Sequence, residues 1–197
     1  NWWKSLMTID KKYIDQFVKV TSNAALASSY LVGKKNKIAA DKAAVDSMRL
    51  ELNKMDIKGR IVIGEGELDE APMLYIGEEV GNKKGPELDL AVDPLEGTNF
   101  AANNLPGALS VIAVAEKKNL FNAPETYMEK ISTKAKEKNV VDLDYSVKKN
   151  ISNLSEYLNK KPENLTACIL DRPRHNKIIN ELSDLNVNIK LITDGDV

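Results

Sequence analysis

Apolar residues near the start of the chain recur at helical spacing. This spacing predicts one helix within residues 9–32 and a second at 40–54. The large apolar positions of the first helix are Ile14, Phe17, Val18, Leu26, Tyr30 and Leu31, and the second has Ala44, Val45, Met48 and Leu52 on one side. Two amphipathic helices are therefore expected before the first strand.

Short apolar runs bounded by turn residues follow, and they are typical of strands. Strands are predicted at 60–64, 87–93 and 109–115, while 127–144 fits either short strands or loop. A polar helix fits 146–160, and after it come a strand at 166–171, a helix at 175–186 and a strand at 188–193. The last three elements form one βαβ unit, whose strands should be parallel. The pattern predicts an α/β fold with a first domain at 8–145 and a second at 146–197.

Composition excludes several classes of function. The net charge of -1 gives no basic excess for binding nucleic acid. No apolar run approaches membrane-spanning length, and a cytoplasmic setting is the default expectation. The lone Cys168 excludes an internal disulfide and is expected to be a buried strand residue. His175, the only histidine, is not preceded by a nucleophile motif.

Two acidic segments carry the candidate chemistry, and each follows a predicted strand. The segments are Gly64-Glu65-Gly66-Glu67-Leu68-Asp69 and Asp93-Pro94-Leu95-Glu96-Gly97-Thr98. Carboxylates are the ligands that Mg²⁺ and Mn²⁺ prefer, and these cations share phosphate oxygens with substrates. The sequence therefore predicts a site for a divalent cation and a phosphate, although either segment taken alone fits an ordinary turn or loop.

The second acidic segment offers several donors in six residues. Asp93 and Glu96 are expected to point into one site across a turn, which exposes the Leu95 carbonyl as a third oxygen donor. The backbone of Gly97 allows close approach to a phosphate, and the Thr98 hydroxyl is placed to orient a water molecule. In the first segment, the alternating Glu65, Glu67 and Asp69 would lean to one side of an extended chain.

Several further residues are weaker candidates for a site. Asp41, near a helix start, fits a helix cap or a surface acid, and Lys37 either steers phosphate or is solvated. Arg172 to Arg174, around Pro173, lie where a strand of the βαβ unit turns into its helix, and they fit a phosphate site or a charged loop. Asp194, Gly195 and Asp196 fit a tight turn or a site for sugar hydroxyls or a cation.

Six motifs recur in order along the chain: Lys37 to Asp41, Ile61 to Leu74, Val92 to Thr98, Asn122 to Pro124, Pro173 to His175 and Asp194 to Asp196. Taken together, they resemble those of class II fructose-1,6-bisphosphatase, the bacterial type, within the lithium-sensitive sugar-phosphatase and inositol-monophosphatase superfamily. The resemblance implies a layered α/β/α/β/α sandwich of two domains. It also implies metal-dependent hydrolysis of the 1-phosphate of fructose 1,6-bisphosphate in gluconeogenesis, with Mn²⁺ or Mg²⁺ as the cofactor.

The resemblance also implies roles for individual residues. Acids that match Asp41, Glu65, Asp93 and Glu96 hold the metals in the family, and those that match Glu67 and Asp69 belong to the same catalytic region. The implied contacts to the sugar bisphosphate come from Lys37, Glu96, Gly97, Thr98, Tyr127, Arg172, Pro173, Arg174, Asp194, Gly195 and Asp196. The expected partners are a small-molecule sugar bisphosphate and further copies of the chain.

The resemblance has one departure. The family continues through a Gly-Gly-Ala-Pro-Glu segment whose glutamate is a further metal ligand, and residues 1–197 do not contain it. Met7 is a candidate natural start, and the chain is expected to be cut in mid-fold at Val197. Either a separate chain completes the site or this sequence is a fragment. The alternatives that stay open are a phosphatase for another sugar or inositol phosphate, such as inositol monophosphate or sedoheptulose bisphosphate, and a non-catalytic fragment that binds a metal or a sugar phosphate.

Overall fold

Two helices and a four-stranded sheet form the first part of the molecule. The structure is a computed structural model that describes residues 9–64, 74–122 and 126–195. Its described residues fall into two compact units, which divide between residues 122 and 126. Helix α1 spans Lys12–Ser29 and helix α2 spans Lys37–Lys54. They precede strands β1 (Lys58–Ile63), β2 (Glu79–Val80) and β3 (Glu87–Glu96), the short helix α3 (Thr98–Ala102) and strand β4 (Leu109–Glu116).

The sheet of the first unit is mixed. Its strand order is β2-β1-β3-β4, in which β1 and β3 are parallel and the other two pairings are antiparallel. The predicted strands are confirmed, and β3 continues to Glu96, further than expected. Neither β2 nor α3 was among the predicted elements, and they are only two and five residues long.

The core of the first unit lies where α1 and α2 pack on the sheet. The predicted face of α2 is confirmed, since Ala44, Val45, Met48 and Leu52 are all buried. Helix α2 begins earlier than predicted because the Asn36 side chain accepts a hydrogen bond from the Ala39 amide at 3.0 Å and caps it.

The face that α1 buries differs from the large apolar positions in its sequence. Tyr13, Phe17, Val20 and Ala24 are buried, together with Ser28. Four of the large apolar positions, Ile14, Val18, Leu26 and Tyr30, are more than half exposed. The buried positions recur every three or four residues, which is the helical period, but small residues occupy part of that stripe. A prediction from side-chain size alone therefore identifies the wrong buried face of α1.

The second unit contains a two-stranded parallel sheet. Helix α4 (Val147–Leu158) precedes strand β5 (Thr166–Leu170), helix α5 (Asn176–Asp184) and strand β6 (Asn188–Ile192). Strands β5 and β6 are parallel, as the βαβ pattern predicts. Residues 126–145 contain no helix or strand, in agreement with the loop alternative. They pack with the second unit, where the Asn150 side chain donates to the Asp142 carbonyl at 2.9 Å. The predicted domain boundary at 145 stays a prediction.

Cys168 does not have the buried position that was expected. It lies in β5, but its side chain is exposed. Successive side chains of a strand point to opposite faces. Ala167 and Ile169 pack on the core of the second unit, and Cys168 between them faces the other way. The prediction of a strand is confirmed and the prediction of burial is wrong.

The α/β class is confirmed by this mixture of helices and mixed sheet. The arrangement in five layers stays a prediction. Within the described residues, every helix is too short or too polar to span a bilayer.

Candidate active site

The first acidic segment follows β1 in the sequence, and the second begins within β3, the parallel neighbour of β1. Lys58 lies beside Glu87 and Ile63 lies beside Ala91 in the register of β1 and β3. Because the carboxyl ends of parallel strands meet at the same edge of a sheet, the chain leaves β1 at Gly64 near the place where β3 reaches Asp93. Glu65, Glu67 and Asp69 lie outside the described residues, so their predicted roles stay predictions.

The segment from Asp93 to Glu96 is a bulged strand, although the sequence predicted a turn. Asp93 pairs with Val111 and Glu96 pairs with Leu109, so three steps along β3 match two steps along β4. An extra residue of this kind is a β-bulge, and Pro94, which has no N–H, suits such a position. Val111 and Leu109 are two apart and share a face of the sheet, so Asp93 and Glu96 share a face as well.

Leu95 and Glu96 are both buried, but only Glu96 has a carboxyl group in its side chain. Glu96 is 8% exposed and Leu95 is 4% exposed. The Leu95 side chain belongs to the hydrophobic core, so its predicted role as a ligand concerns only its carbonyl oxygen. A carboxylate as buried as that of Glu96 is stable only with a hydrogen-bond donor or a cation close by.

Gly97 turns the chain from β3 into α3. Its φ of 79° and ψ of 46° are in the left-handed region, which favours glycine. A Cβ atom at this position would lie 2.8 Å from Cδ2 of Phe100. Thr98, the first residue of α3, is half-buried. The left-handed backbone and the contact with Phe100 both favour glycine here, and the predicted approach of Gly97 to a phosphate stays a prediction.

Asp41 lies in the second turn of α2 and carries an unsatisfied oxygen. Its Oδ1 is buried and has no hydrogen-bond partner among the described residues. Burial raises the pKa of this carboxyl above its ordinary value of 3.8, because a charge that has lost water is less stable. A cation beside Asp41 would remove this penalty, so the residue fits the predicted role of metal ligand.

Backbone hydrogen bonds join the chain just before α2 to the end of α3. The amides of Gly33 and Lys35 donate to the carbonyls of Ala101 and Ala102, each at 2.9 Å. Lys37, the first residue of α2, is exposed just after this turn. The helix that carries Lys37 and Asp41 and the helix that begins at Thr98 are therefore held together.

The described residues contribute only part of a metal site. Asp41, Asp93 and Glu96 supply oxygen donors of the kind that Mn²⁺ and Mg²⁺ prefer. Residues 9–64, 74–122 and 126–195 contain no group of three or more acidic, cysteine or histidine side chains close enough to hold a metal. The other predicted acids, at 65, 67 and 69, are outside these ranges.

Arg172 and Asp194 meet at the carboxyl ends of β5 and β6. The Arg172 guanidinium donates to the Asp171 carbonyl at 2.9 Å and to the Thr193 carbonyl at 2.6 Å. It also lies 3.5 Å from Oδ1 of Asp194. A guanidinium has five N–H donors, so these bonds fix its plane and leave donors over for an anion. The sequence predicted both residues, and the structure brings them together.

Arg174 and Tyr127 form the second contact of this region. The Arg174 guanidinium lies 3.9 Å from the centre of the Tyr127 ring. Tyr127 is 78% exposed, so the contact is open to solvent. Pro173, which lies between the two arginines in the sequence, begins a short 3-10 turn that includes Arg174. Gly195 has a φ of 99°. Asp196 lies outside the described residues. Tyr127 had no local signal of its own, and only the family resemblance singled it out.

Two side-chain contacts near the candidate residues were not predicted from the sequence. Arg49 of α2 forms a bidentate ion pair with Glu78, and these residues are 29 positions apart in the sequence. His175 hydrogen-bonds through Nδ1 to the Leu170 carbonyl at 2.8 Å. Because a carbonyl only accepts, Nδ1 carries the proton. This bond stabilises the turn after β5. Neither contact follows a local pattern that a sequence displays.

Comparison with known proteins gives the family context of these residues. The family model described as bacterial fructose-1,6-bisphosphatase, glpX-encoded, matches residues 11–197. A Prochlorococcus marinus (strain MIT 9303) protein named D-fructose 1,6-bisphosphatase class 2/sedoheptulose 1,7-bisphosphatase is 46% identical over 189 residues. A protein of the same name from Synechococcus sp. (strain CC9311) is 47% identical over 189 residues. Each match covers 96% of this chain and 57% of the relative. The chain thus spans a little over half the length of these relatives.

Proposed function

Because this chain belongs to the glpX-encoded family of bacterial fructose-1,6-bisphosphatases, we propose that it takes part in the metal-dependent hydrolysis of a sugar bisphosphate. The proposed reaction converts fructose 1,6-bisphosphate to fructose 6-phosphate and phosphate, a step of gluconeogenesis. The observation that carries the proposal is the shared face of Asp93 and Glu96 at the edge of the sheet. Two carboxylates on one face can hold a divalent cation, and a cation held there could bind the oxygens of a phosphate.

The proposed metal ligands are Asp41, Glu65, Asp93 and Glu96, with the Leu95 carbonyl as a further oxygen. Mn²⁺ or Mg²⁺ held there would supply positive charge to the phosphoryl oxygens and favour the deprotonation of water. Support from the described residues comes from the buried, unsatisfied oxygen of Asp41 and from the buried carboxylate of Glu96.

The proposed catalytic groups are Thr98, Glu67 and Asp69. The Thr98 hydroxyl would orient the water that attacks phosphorus, and the two acids would aid it from the neighbouring segment. The bond between phosphorus and the bridging oxygen on C1 of the sugar then breaks. Holding the water and the phosphoryl group in line lowers the entropic cost of the reaction.

The sugar and its second phosphate would be held by the remaining predicted residues. Arg172 and Arg174 suit the distal phosphate, since guanidinium groups bind phosphate with paired N–H donors. The bonds of Arg172 to the Thr193 carbonyl and Asp194 support a fixed orientation. Asp194 and Asp196 would accept hydrogen bonds from sugar hydroxyls. Lys37, Gly97, Tyr127, Pro173 and Gly195 are the other proposed contacts.

A second substrate is favoured by the names of the relatives. The proteins from Prochlorococcus marinus and Synechococcus are named for sedoheptulose 1,7-bisphosphate as well as fructose 1,6-bisphosphate. The two sugars carry the same terminal phosphates and differ by one carbon. We therefore include sedoheptulose bisphosphate as a substrate of the proposed site.

The proposed setting is the cytoplasm, because a doubly phosphorylated sugar does not cross membranes unaided. The proposed partners are this small molecule and further copies of the chain. Size-exclusion chromatography with light scattering measures the number of copies directly, and a monomeric mass at micromolar concentration would contradict the proposed assembly.

A phosphate-release assay tests the proposed activity. Purified protein is incubated with fructose 1,6-bisphosphate, sedoheptulose 1,7-bisphosphate or inositol 1-phosphate in Mn²⁺, in Mg²⁺ or in EDTA. We expect release from the two bisphosphates with a divalent cation and none in EDTA. Folded protein that binds Mn²⁺ but releases phosphate from neither bisphosphate would refute the enzymatic proposal and favour a non-catalytic binding role.

A further inference from the structure

His175 closes the turn that connects strand β5 to helix α5 with two hydrogen bonds. Its backbone amide donates to the Arg172 carbonyl at 2.9 Å. Its ring donates from Nδ1 to the carbonyl of Leu170, the last residue of β5, at 2.8 Å. The two acceptors lie on either side of Asp171, so the half-buried side chain of His175 fixes the path of the chain as it leaves the strand.

The turn after β5 is too short to hold its own shape. Pro173, Arg174 and His175 form a 3-10 turn of three residues. The hydrogen bonds of a 3-10 turn have poorer geometry than those of an α-helix, so a turn this short depends on bonds to other parts of the chain. The bond from the His175 ring is of this kind, since it reaches back five residues to the end of β5.

The two arginines of this region are held in different ways. The Arg172 guanidinium donates to carbonyls at the ends of both strands of the second unit, so its own bonds fix its plane. Arg174 is exposed, and among the described residues its guanidinium has one defined contact, which is with the Tyr127 ring. The direction of Arg174 therefore depends on the backbone of the turn, and His175, the next residue, fixes that backbone.

From these contacts we propose that His175 is a positioning residue for the distal phosphate of the sugar, and that it acts by setting the direction of Arg174 relative to Arg172. The inference rests on the proposed function, because it takes these two arginines as the distal-phosphate site. Guanidinium groups bind a phosphate best when their N–H donors meet its oxygens at the same time. His175 does not touch the substrate in this proposal, and the contacts that carry it all lie within the second unit.

The proposed effect depends on which end of the sugar carries a phosphate. Fructose 6-phosphate, the proposed product, keeps only the distal phosphate, whereas fructose 1-phosphate keeps only the phosphate that is hydrolysed. Loss of the ring bond of His175 should therefore weaken the binding of fructose 6-phosphate and leave the turnover of fructose 1-phosphate unchanged. A general loss of structure would reduce both, because the proposed contacts to the sugar hydroxyls lie in the same unit.

Isothermal titration calorimetry of the full chain with fructose 6-phosphate in Mn²⁺ measures the distal site without turnover. His175→Phe keeps a ring but removes the donor, while His175→Asn keeps an N–H donor one bond from Cγ, where Nδ1 lies. We expect the Kd of fructose 6-phosphate to rise about tenfold for His175→Phe, which is the effect of one lost bond to a charged group. For His175→Asn the Kd should stay within about twofold of the original value, since the amide replaces the Nδ1 donor.

Asn188→Ala is the matched control. The Asn188 side chain donates to the Glu163 and Leu165 carbonyls at 2.8 and 3.1 Å, so it also ties backbone together in the second unit. It does so where β6 begins, whereas His175 acts where β5 ends. The Kd of this variant for fructose 6-phosphate should equal that of the unaltered protein.

Circular dichroism identifies any variant that does not fold. His175→Gln then replaces His175→Phe, since the glutamine amide lies one bond beyond the position of Nδ1 and does not replace that donor. The kcat/KM for fructose 1-phosphate is measured on the same preparations by phosphate release.

The outcomes separate the inference from the function on which it rests. Unchanged affinity for fructose 6-phosphate in folded His175→Phe, or in His175→Gln as its replacement, overturns the inference alone. An equal loss in kcat/KM for fructose 1-phosphate overturns it as well, and so does a His175→Asn variant that binds fructose 6-phosphate as weakly as His175→Phe. If the unaltered protein does not bind fructose 6-phosphate, the proposed distal-phosphate site is refuted and the inference fails with it. Failure of the proposed hydrolysis shows instead in the phosphate-release assay, and the binding comparison still decides the inference.

Discussion

Asp93 and Glu96 share a face of the sheet although they are three positions apart in the sequence. In a regular strand, residues three apart point to opposite faces. The bulge around Pro94 and Leu95 adds one residue to β3, so the partners of the two acids on β4, Val111 and Leu109, are only two apart. The bulge therefore converts an odd spacing into a common face, and the proposed metal site depends on it.

Asp93→Asn should abolish metal-dependent phosphate release without unfolding the protein. The amide keeps the shape of the side chain but removes the negative charge that a divalent cation needs. We expect activity to fall by at least 10²-fold, on the order reported for loss of groups that stabilise a transition state. The measurement is phosphate release from fructose 1,6-bisphosphate at saturating Mn²⁺, with circular dichroism to confirm folding.

Asp89→Asn is the matched control for this variant. Asp89 lies four residues earlier on β3 and is 5% exposed. It accepts a hydrogen bond from the Lys118 amide at 2.6 Å, towards the other end of the strand. Its amide replacement can still accept that bond, so activity should stay within a few-fold. Full activity in Asp93→Asn would refute the assignment of that residue.

Asp41→Asn should stabilise the metal-free protein at neutral pH. Burial raises the pKa of Asp41 above 3.8, so the folded state binds its proton more tightly than the unfolded state does. The stability that the protonated Asp41 carboxyl contributes is complete below pH 3.8, and it is lost as pH rises through the folded-state pKa. At pH 7 the charged carboxylate therefore opposes folding unless a cation is bound, and the neutral amide does not.

Urea unfolding in EDTA and in Mn²⁺ measures this prediction. In EDTA, Asp41→Asn should have a higher midpoint than the unaltered protein at pH 7, and the gap should close as pH approaches 4. In Mn²⁺ the order should reverse, because only the unaltered protein retains the ligand. Asp15→Asn, at an exposed position in the first turn of α1, should lower both midpoints by the same small amount, because it removes a charge that favours the helix dipole in either condition. A lower midpoint for Asp41→Asn in EDTA at pH 7 would contradict the assigned cost of the buried charge.

The sequence predicts the elements of this fold better than it predicts the details that assemble the site. The apolar side of α2 was identified because its core positions Ala44, Val45, Met48 and Leu52 leave only one consistent face. On α1 the large apolar residues Ile14 and Val18 lie outside the face that packs on the sheet. Periodicity identifies a helix, but the choice of its buried face depends on what it packs against.

The details that sequence did not predict are relationships between distant residues. The bulge was expected to be a turn, because Pro-Leu-Glu-Gly fits both and only the pairing of β3 with β4 decides. Arg49 meets Glu78, and Tyr127 meets Arg174, across 29 and 47 positions of sequence. Local propensity carries no information on such contacts, whereas the family resemblance singled out Tyr127 and Arg174 through their matched positions.

Gly97→Ala should destabilise the first unit and reduce activity. Its left-handed backbone costs an alanine about 1–2 kcal/mol. The added Cβ would also lie 2.8 Å from the Phe100 ring and displace it, together with the start of α3 at Thr98. Gly77→Ala is the control for the backbone term, because its φ is 96° and no atom lies within 4 Å of the added Cβ. Urea unfolding should show a larger loss in the free energy of unfolding for Gly97→Ala than for Gly77→Ala. Equal losses would show that the contact with Phe100 adds no cost.

Tyr127→Ala should raise KM for fructose 1,6-bisphosphate about two- to fivefold, while Tyr127→Phe should keep it nearly unchanged. The Arg174 guanidinium lies 3.9 Å from the centre of the Tyr127 ring, and an exposed contact of this kind contributes about 0.5–1 kcal/mol. The phenyl ring of the conservative variant keeps that contact, so recovery by phenylalanine separates it from a role of the hydroxyl. Tyr145→Ala is the matched control, since it removes a similar contact with Lys149 in the same unit, at 3.5 Å, and neither residue is a proposed site residue. Steady-state kinetics at saturating Mn²⁺ decide the matter, because equal KM values for Tyr127→Ala and the unaltered protein would show that Arg174 does not need the ring to hold the distal phosphate.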